Sequence, residues 1–255
     1  MAAPQATIKS IFRYPVKGLS PESLPRVRLE AGKTLPADRR YAIENGPSGF
    51  DPAAPSYLPK SRFLMLMRNE RLAELDTRYE DATHTLVIRH QDREVARADL
   101  STRDGRLTIE AFFRRFMPAE LRGPPKLLHA DGHSFSDVAA KCVHIVNLAS
   151  VRELERVSGR PINPLRFRAN LYLDGVAPWA EFGWLDKELR IGPAKLSVLA
   201  RTSRCEATNV DPATGARDMA IPAHLLRTWG HQDFGIYAKV VNGGEISVGT
   251  PVMTA

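Results

Sequence analysis

The residues best suited to chemistry lie between Thr202 and Gly215, which read T-S-R-C-E-A-T-N-V-D-P-A-T-G. An apolar segment, Leu196–Ala200, precedes them, and the D-P-A-T-G at their end is typical of a tight turn, so we expect Cys205 on a loop at the end of a strand. Arg201 and Arg204 flank the cysteine, and guanidinium charge favours the thiolate, the form that binds metal or attacks as a nucleophile. The alternative is a small buried residue that happens to be cysteine.

Cys142 is the second of the two cysteines, and its surroundings predict a different role. It stands beside Val143, Ile145 and Val146, which are typical of a buried strand. Two cysteines cannot form a disulfide framework, so we expect both to be reduced thiols in a cytoplasmic protein. The sequence has no run of about 20 apolar residues, and residues 1–5 lack the features of a signal peptide, so we expect neither membrane insertion nor secretion.

The charge balance favours an anionic partner or ligand. The chain has 36 Lys and Arg against 29 Asp and Glu, a formal net charge of +7. These basic residues are spread along the chain without a cationic tail, so we expect no binding to nucleic acid. For any single arginine, a solvated surface position is the alternative.

Several common catalytic and binding motifs are missing from the sequence. It has no G-x-G-x-x-G after a predicted strand, no Walker A loop, no G-x-S-x-G elbow and no H-E-x-x-H, which lowers the support for nucleotide binding, serine hydrolysis and zinc proteolysis. His129 and His133 form the closest histidine pair, but they stand in a loop without a third ligand nearby. We expect no zinc site there.

The elements that must position Cys205 are short. In the first half of the chain, turn residues separate segments rich in β-branched, aromatic and aliphatic residues, a pattern typical of strands. These predicted strands are Thr7–Tyr14, Arg26–Leu29, Arg40–Glu44, Thr85–Arg89 and Glu94–Leu100. The proline-rich segment 45–59 is predicted to be a loop, residues 62–67 fit a helix or a strand, and an apolar stripe of phenylalanines predicts a helix over 108–117.

The second half of the chain alternates predicted strands with two short helices. Gly123-Pro124-Pro125 is the best candidate for a linker, so we predict two domains, 1–122 and 123–255. The strands predicted beyond it are Cys142–Asn147, Ala169–Asp174, Glu188–Ile191, Lys195–Thr202, Gly235–Val241 and Glu245–Val248. The S-V-R-E that starts at Ser150 has the capping-box pattern of a helix running to about Val157, and Pro222–Trp229 is predicted to be another. The fold class is therefore α+β, rich in β-strands, with short helices.

The pattern S-R-C-x-x-T-x-V-D-P-x-T-G around Cys205 closely resembles the MOSC domain, the C-terminal domain of molybdenum cofactor sulfurases. More specifically, it looks like the branch that contains the mitochondrial amidoxime-reducing component and its bacterial relatives. Further matching segments are Tyr14-Pro15-Val16-Lys17-Gly18, Asp38-Arg39-Arg40-Tyr41, Phe167-Arg168-Ala169-Asn170, Phe234-Gly235-Ile236-Tyr237 and Ile246 to Val252. The resemblance covers about residues 7–252 and implies an N-terminal β-barrel-like domain followed by a MOSC β-barrel domain.

This resemblance implies that the protein binds the molybdenum cofactor, a pyranopterin with a phosphate and a dithiolene. Cys205 matches the family's metal ligand, and it is the predicted catalytic residue. The predicted cofactor-binding residues are Lys17, Gly18, Arg39, Arg168, Asn170, Ser203, Arg204 and Tyr237. Two positions depart from the family pattern: Gly18 replaces a frequent serine, which removes a hydroxyl donor, and Ala169 replaces a proline, which loosens the backbone.

The activity that the resemblance implies is reduction of N-hydroxylated or similar N-oxygenated small molecules. Some bacterial relatives carry a fused ferredoxin domain, but this sequence has no cysteine cluster for an iron–sulfur centre. We therefore expect electrons from a separate donor protein. The alternative is a sulfur or cofactor carrier without turnover of its own; a nucleic-acid-binding module, which rests only on net charge, ranks last.

Overall fold

The computed structural model describes residues 5–254, which form fifteen β-strands and three α-helices. The strands are β1 (Ala6–Arg13), β2 (Glu22–Leu24), β3 (Arg26–Leu29), β4 (Ala42–Glu44), β5 (Leu75–Glu80), β6 (Thr85–His90), β7 (Arg93–Asp99), β8 (Lys126–Leu128), β9 (Val143–Asn147), β10 (Leu171–Asp174), β11 (Glu188–Ile191), β12 (Ala194–Ser203), β13 (Asp233–Asn242), β14 (Gly244–Ser247) and β15 (Pro251–Thr254). The helices are α1 (Arg103–Phe116), α2 (Leu148–Ser158) and α3 (Ile221–Trp229). Strands thus outnumber helices, as the β-rich fold class predicts.

Seven strands close into a barrel in the order β1, β10, β9, β13, β12, β11, β15 and back to β1. All neighbours in this barrel are antiparallel except β9 and β10, which run parallel. Side chains alternate between its two faces, and the inward ones form one apolar core that includes Ile8, Ile145, Leu171, Leu196 and Ile236. Closure pairs every barrel strand with two neighbours, which gives the site a rigid support.

The barrel takes strands from both sides of the predicted boundary between residues 122 and 123. Its first strand, β1, pairs with β10 through Ile8 and Leu173 and with β15 through Thr7 and Pro251. Likewise, β3 pairs with β14. The predicted division of the chain in sequence stays a prediction, but the two segments share one barrel in space.

A second layer is built from the three-stranded antiparallel sheet β5–β6–β7 and helix α1. The helix buries Ile109, Phe112 and Phe113 against this sheet, so the apolar stripe that predicted the helix is part of the core. It begins five residues earlier than predicted because the hydroxyl of Thr102 accepts a hydrogen bond from the backbone N–H of Gly105 at 3.0 Å.

The start of α2 differs from the predicted capping box at Ser150. The residue that caps the helix is Asn147, whose side-chain oxygen accepts a hydrogen bond from the N–H of Ala149 at 3.0 Å. Ser150 lies inside the helix, where its hydroxyl donates to the buried carboxylate of Glu181 at 2.8 Å. A tertiary contact therefore uses the serine that the local pattern assigned to the cap.

None of the helices within residues 5–254 is long and apolar enough to cross a membrane. The proline-rich segment 45–59 contains no helix or strand, as predicted. Residues 62–67, which the sequence left ambiguous, form neither an α-helix nor a strand: Arg62 ends a 3-10 helix, Phe63 forms an isolated bridge with Glu44, and the rest is irregular. This irregular segment forms one wall of the cleft described next.

Candidate functional site

One cleft brings together eight of the nine predicted site residues. These are Lys17, Gly18, Arg39, Arg168, Asn170, Arg204, Cys205 and Tyr237. The cleft lies where one end of the barrel meets the segments around residues 14–18, 38–41 and 65–67. It holds about 830 Å³ of empty space, counting the part that is open to solvent.

Ser203 is the predicted residue that lies outside the cleft. It is the last residue of β12, its side chain is exposed, and it pairs across the sheet with Asp233. The alternation of a strand explains this placement, because neighbouring residues on β12 point to opposite faces.

Cys205 occupies the position that the sequence predicts, on a loop directly after β12. It is half-buried, and its side chain lines the cleft. Its backbone carbonyl accepts hydrogen bonds from the N–H of Thr208 at 3.1 Å and from the hydroxyl of Thr208 at 3.0 Å. These bonds begin a 3-10 turn, Glu206–Asn209, that fixes the backbone immediately after the cysteine.

The loop that follows Cys205 is held by an internal turn and by a buried arginine. The carboxylate of Asp211 accepts hydrogen bonds from the N–H groups of Ala213 at 2.9 Å and Thr214 at 3.0 Å, which is the turn chemistry of the D-P-A-T-G sequence. Arg166 donates to the carbonyl of Asn209 at 3.1 Å and to the carboxylate of Asp211 at 2.9 Å. The thiol is therefore presented by an ordered loop.

Cys142 also lines the cleft, although it is buried as predicted. Burial raises the pKa of its thiol to about 12, so at neutral pH it is protonated. A protonated thiol is a poor ligand and a poor nucleophile. Of the two cysteines in the cleft, Cys205 is the one placed for chemistry.

Two arginines stack against the buried ring of Tyr14. The guanidinium carbon of Arg39 lies 4.4 Å from the ring centroid and that of Arg168 lies 4.2 Å from it. Both residues adopt the left-handed backbone conformation, with φ of 50° and 52°, and Arg39 donates to the carbonyl of Arg168 at 3.0 Å. The D-R-R-Y and F-R-A-N segments thus meet at one aromatic ring, which fixes both guanidinium groups by cation–π contact.

Two cations of the cleft, Arg39 and Lys17, are held by nearby carboxylates. Asp38 binds the guanidinium of Arg39 through both oxygens, at 2.7 and 2.6 Å. Asp137 forms a salt bridge with Lys17, whose ammonium also donates to the carbonyl of Phe135 at 2.8 Å. Burial lowers the pKa of Lys17, and the salt bridge opposes that effect.

Arg168 and Arg204 form no salt bridge with any residue in the range 5–254. Arg168 donates to the carbonyl of Leu19 at 2.8 Å, and Arg204 donates to the carbonyl of Phe167 at 2.9 Å. Burial lowers the pKa of Arg168 to about 10. Two half-buried guanidinium groups therefore have no carboxylate partner among the described residues, an arrangement that favours an anionic ligand.

Asn170 holds the barrel together at the edge of the cleft. Its side-chain oxygen accepts a hydrogen bond from the N–H of His144 at 3.1 Å, and its side-chain nitrogen donates to the carbonyl of Phe12 at 3.1 Å. Both ends of the amide are thus bound to backbone groups of β1 and β9. Asn170 thus positions these two strands, and its direct contact with a cofactor stays a prediction.

The cleft contains a buried histidine that sequence reasoning missed. Burial, together with the charges of Arg204 and Arg39, lowers the pKa of His144 well below its ordinary value, so the ring is neutral. Its Nε2 atom has no hydrogen-bond partner among the described residues, and neither has the buried Nε of Arg204. In the sequence, His144 stands in an apolar strand and no local signal separates it from the core.

Tyr237, the predicted residue on β13, lies beside His144 with ring centroids 5.2 Å apart. Burial raises the pKa of its hydroxyl to about 12, so the group stays protonated and is a hydrogen-bond donor in the cleft. Sequence reasoning also missed Asp38, Asp137 and Arg166. Asp38 stands next to a predicted residue in D-R-R-Y, a signal that was available, whereas Asp137 and Arg166 reach the cleft only through tertiary folding.

Together these features define a β-rich protein in which one barrel end carries a cationic cleft around a half-exposed cysteine. Two family models match the chain: the MOSC N-terminal beta barrel domain matches residues 5–118, and the MOSC domain matches residues 130–253. The chain belongs to the family of proteins in which these two domains follow each other. The resemblance and the fold class inferred from the sequence are confirmed.

Three curated relatives cover parts of the chain. Mitochondrial amidoxime-reducing component 1 of Mus musculus is 29% identical over 150 residues, which are 54% of this chain and 41% of that protein. The Homo sapiens protein of the same name is 32% identical over 120 residues, 42% of this chain and 35% of that protein. Molybdenum cofactor sulfurase 2 of Culex quinquefasciatus is 38% identical over 81 residues, 31% of this chain and 10% of that protein. The match spans less than half the length of each relative.

Proposed function

We propose that the protein is a molybdenum-cofactor-dependent oxidoreductase that reduces N-hydroxylated or other N-oxygenated small molecules. One observation carries this proposal: a half-exposed cysteine and two guanidinium groups without a carboxylate partner share one cleft. The likeness to amidoxime-reducing components supports the substrate class.

The donor set of the cleft fits the cofactor. A thiolate at Cys205 is a soft ligand suited to a metal that a dithiolene also binds. Arg168 and Arg204 supply the charge that an anionic phosphate requires, and the unpaired Nε of Arg204 supplies a buried donor. When bound, the cofactor supplies two-electron chemistry with oxygen acceptance, and the protein supplies binding and orientation.

The remaining polar residues of the cleft prepare it for a neutral or weakly polar substrate. Tyr237 keeps its proton at neutral pH, so its hydroxyl is able to donate a hydrogen bond to a substrate, whereas His144 stays neutral and adds no charge. Met65, Leu66 and Met67 form an apolar wall of the same cleft. Flexible methionine side chains adapt to different apolar groups, so this wall suits the hydrocarbon part of an amidoxime or hydroxylamine.

Electrons come from a separate donor protein in this proposal, and the protein works in the cytoplasm. Both cysteines are free thiols, the state that a reducing compartment maintains.

The test is an assay of amidoxime reduction by anaerobically purified protein, with reduced viologen as the electron donor. We expect turnover by the wild-type protein and by Cys142→Ala, and none by Cys205→Ala. Full activity of Cys205→Ala would overturn the assignment of the metal ligand, and absence of turnover in metal-loaded wild-type protein would overturn the proposed substrate class.

A second candidate function is a carrier that holds the cofactor or a persulfide at Cys205 without turnover. The likeness to a molybdenum cofactor sulfurase favours it. Gel filtration separates the two functions, because an enzyme retains molybdenum during the run whereas a carrier releases it.

A further inference from the structure

Arg217 connects the loop of Cys205 to the segment of Leu66 and Met67, which also lines the cleft. One of its guanidinium nitrogens, Nη1, donates to the carbonyl of Glu206, the residue directly after the cysteine, at 3.2 Å. The other, Nη2, donates to the carbonyls of Leu66 at 3.0 Å and Met67 at 2.7 Å. Arg217 also binds the carboxylate of Glu70 at 3.1 Å. A single side chain therefore contacts both sides of the cleft.

The apolar wall depends on this contact. Leu66 and Met67 lie in an irregular segment, and within residues 5–254 Arg217 is the one donor to either carbonyl. The segment is not part of a sheet that would fix its distance from Cys205. Its far side is held by the hydrogen bond from the N–H of Leu64 to the carbonyl of Ile43 at 2.8 Å and by the packing of Leu66 in the core of the second layer. On the side of Cys205, the planar, forked guanidinium of Arg217 binds its carbonyls.

Gly215 brings the same two segments into close contact. Its φ of +76° lies in the left-handed region, and a side chain there would place Cβ 3.1 Å from the carbonyl oxygen of Glu70. The loop of Cys205 therefore packs directly on the start of the 3-10 helix Glu70–Glu74. We call this contact, between residues 206–217 and 66–70, the seam, and Arg217 lies in it.

We propose that Arg217 is a specificity-determining positioning residue that sets the width of the cleft between Cys205 and the wall formed by Leu66 and Met67. It touches neither the thiol nor the guanidinium groups of the site and acts through the backbone on both sides. Its loss lets the irregular wall move away from the thiol, so large molecules gain access relative to small ones. This inference adds a determinant of substrate size to the proposed function.

The experiment measures the rate of alkylation of Cys205 in cofactor-free protein. The protein also carries Cys142→Ala, so that all the alkylation measured takes place at the thiol of Cys205. The reagents are iodoacetamide, which is small, and a maleimide with a bulky aromatic group. In Arg217→Gln we expect the ratio of the bulky to the small rate constant to rise about threefold or more, because steric exclusion in a tight pocket changes rates by roughly 10-fold per group. Arg217→Lys should lie between Arg217→Gln and the wild type.

Two further variants keep the test decisive. Glu70→Gln weakens the same contact without removing the arginine, and it should raise the ratio in the same direction if Arg217→Gln does not fold. Arg227→Gln is the matched control, because Arg227 is an exposed arginine of α3 that binds His224 at 2.8 Å and lies outside the seam. An unchanged ratio in folded Arg217→Gln and Glu70→Gln protein, or the same change in Arg227→Gln, would overturn the inference.

Where the protein reduces N-oxygenated substrates, the same variants should favour bulky over small amidoximes in kcat/KM, with the main change in KM. Alkylation needs neither metal nor turnover. If reduction fails but the alkylation ratio shifts, the proposed function is wrong and the role of Arg217 stands. If reduction succeeds and the alkylation ratio is unchanged, the proposed function stands and the role of Arg217 is wrong.

Discussion

Arg168 and Arg39 stack on the same ring of Tyr14, but their substitution by methionine, which keeps much of the side-chain volume, should affect the stability of the protein very differently. Arg39 is paired with Asp38, whose side chain is only 3% exposed. Arg39→Met leaves that carboxylate buried and unpaired, and we expect the free energy of unfolding to fall by about 3–5 kcal/mol.

Arg168 has no carboxylate partner, so its replacement leaves no buried carboxylate unpaired. The lowering of its pKa from 12.5 to about 10 corresponds to about 3 kcal/mol of disfavoured charge, and partial exposure reduces the usable figure to about 2 kcal/mol. Arg168→Met removes this cost and also removes the hydrogen bond to Leu19 and the contact with Tyr14, worth about 1 kcal/mol each. The stability of the cofactor-free protein should therefore stay within about 1 kcal/mol of the wild type.

The loss should instead appear in cofactor retention. A charge-assisted hydrogen bond contributes about 1.5–3 kcal/mol, so Arg168→Met should retain the cofactor roughly 10- to 100-fold less tightly. Urea denaturation of cofactor-free protein and cofactor content after dialysis give the two quantities. If Arg168→Met destabilises the apo-protein as much as Arg39→Met does, or leaves retention unchanged, the reasoning about the unpaired charge is refuted.

Three other predictions concern the thiols, the electron donor and the seam. With a pKa of about 12, Cys142 should resist alkylation at pH 8 and react only as the pH approaches that value, whereas Cys205 labels at pH 8; mass spectrometry of labelled peptides shows the order, and early labelling of Cys142 would contradict it. With NADH or NADPH as the sole reductant, the purified chain should show no reduction of an amidoxime, because its sequence has no dinucleotide fingerprint and no cysteine cluster for an iron–sulfur relay; sustained turnover would require a site not described above. Gly215→Ala should lower the free energy of unfolding by more than about 1 kcal/mol, since φ of +76° and the contact with Glu70 both oppose a side chain, and a thermal melt within 1 °C of the wild type would contradict this.

The parts of the site that lie on one continuous segment could be predicted from the sequence. The loop of Cys205 is specified locally by the strand before it and by the turn residues after it, and the structure places the cysteine there. The same holds for α1, whose apolar stripe defines its buried face.

What could not be predicted depends on contacts between distant segments. Closure of the barrel through β1 and β15 leaves no local signal, and β15 was not predicted at all. Asp137 reaches the cleft because Lys17, 120 positions away, binds it. The neighbours of Cys142 in the sequence predict a buried core position, and the residue is buried, but it also lines the cleft. Ser203 belongs to the S-R-C pattern, but its side chain lies outside the cleft, because successive side chains of a strand point to opposite faces.

The central claim is that Cys205 holds the metal in a cleft whose free guanidinium groups bind the cofactor's anionic part. Molybdenum content of anaerobically purified wild-type, Cys205→Ala and Cys142→Ala protein tests it most directly. We expect about one molybdenum per chain in the wild type and in Cys142→Ala, and a large loss in Cys205→Ala, because a thiolate is the ligand the chain supplies. Equal molybdenum content in Cys205→Ala and wild-type protein, or none in any of the three, would contradict the claim.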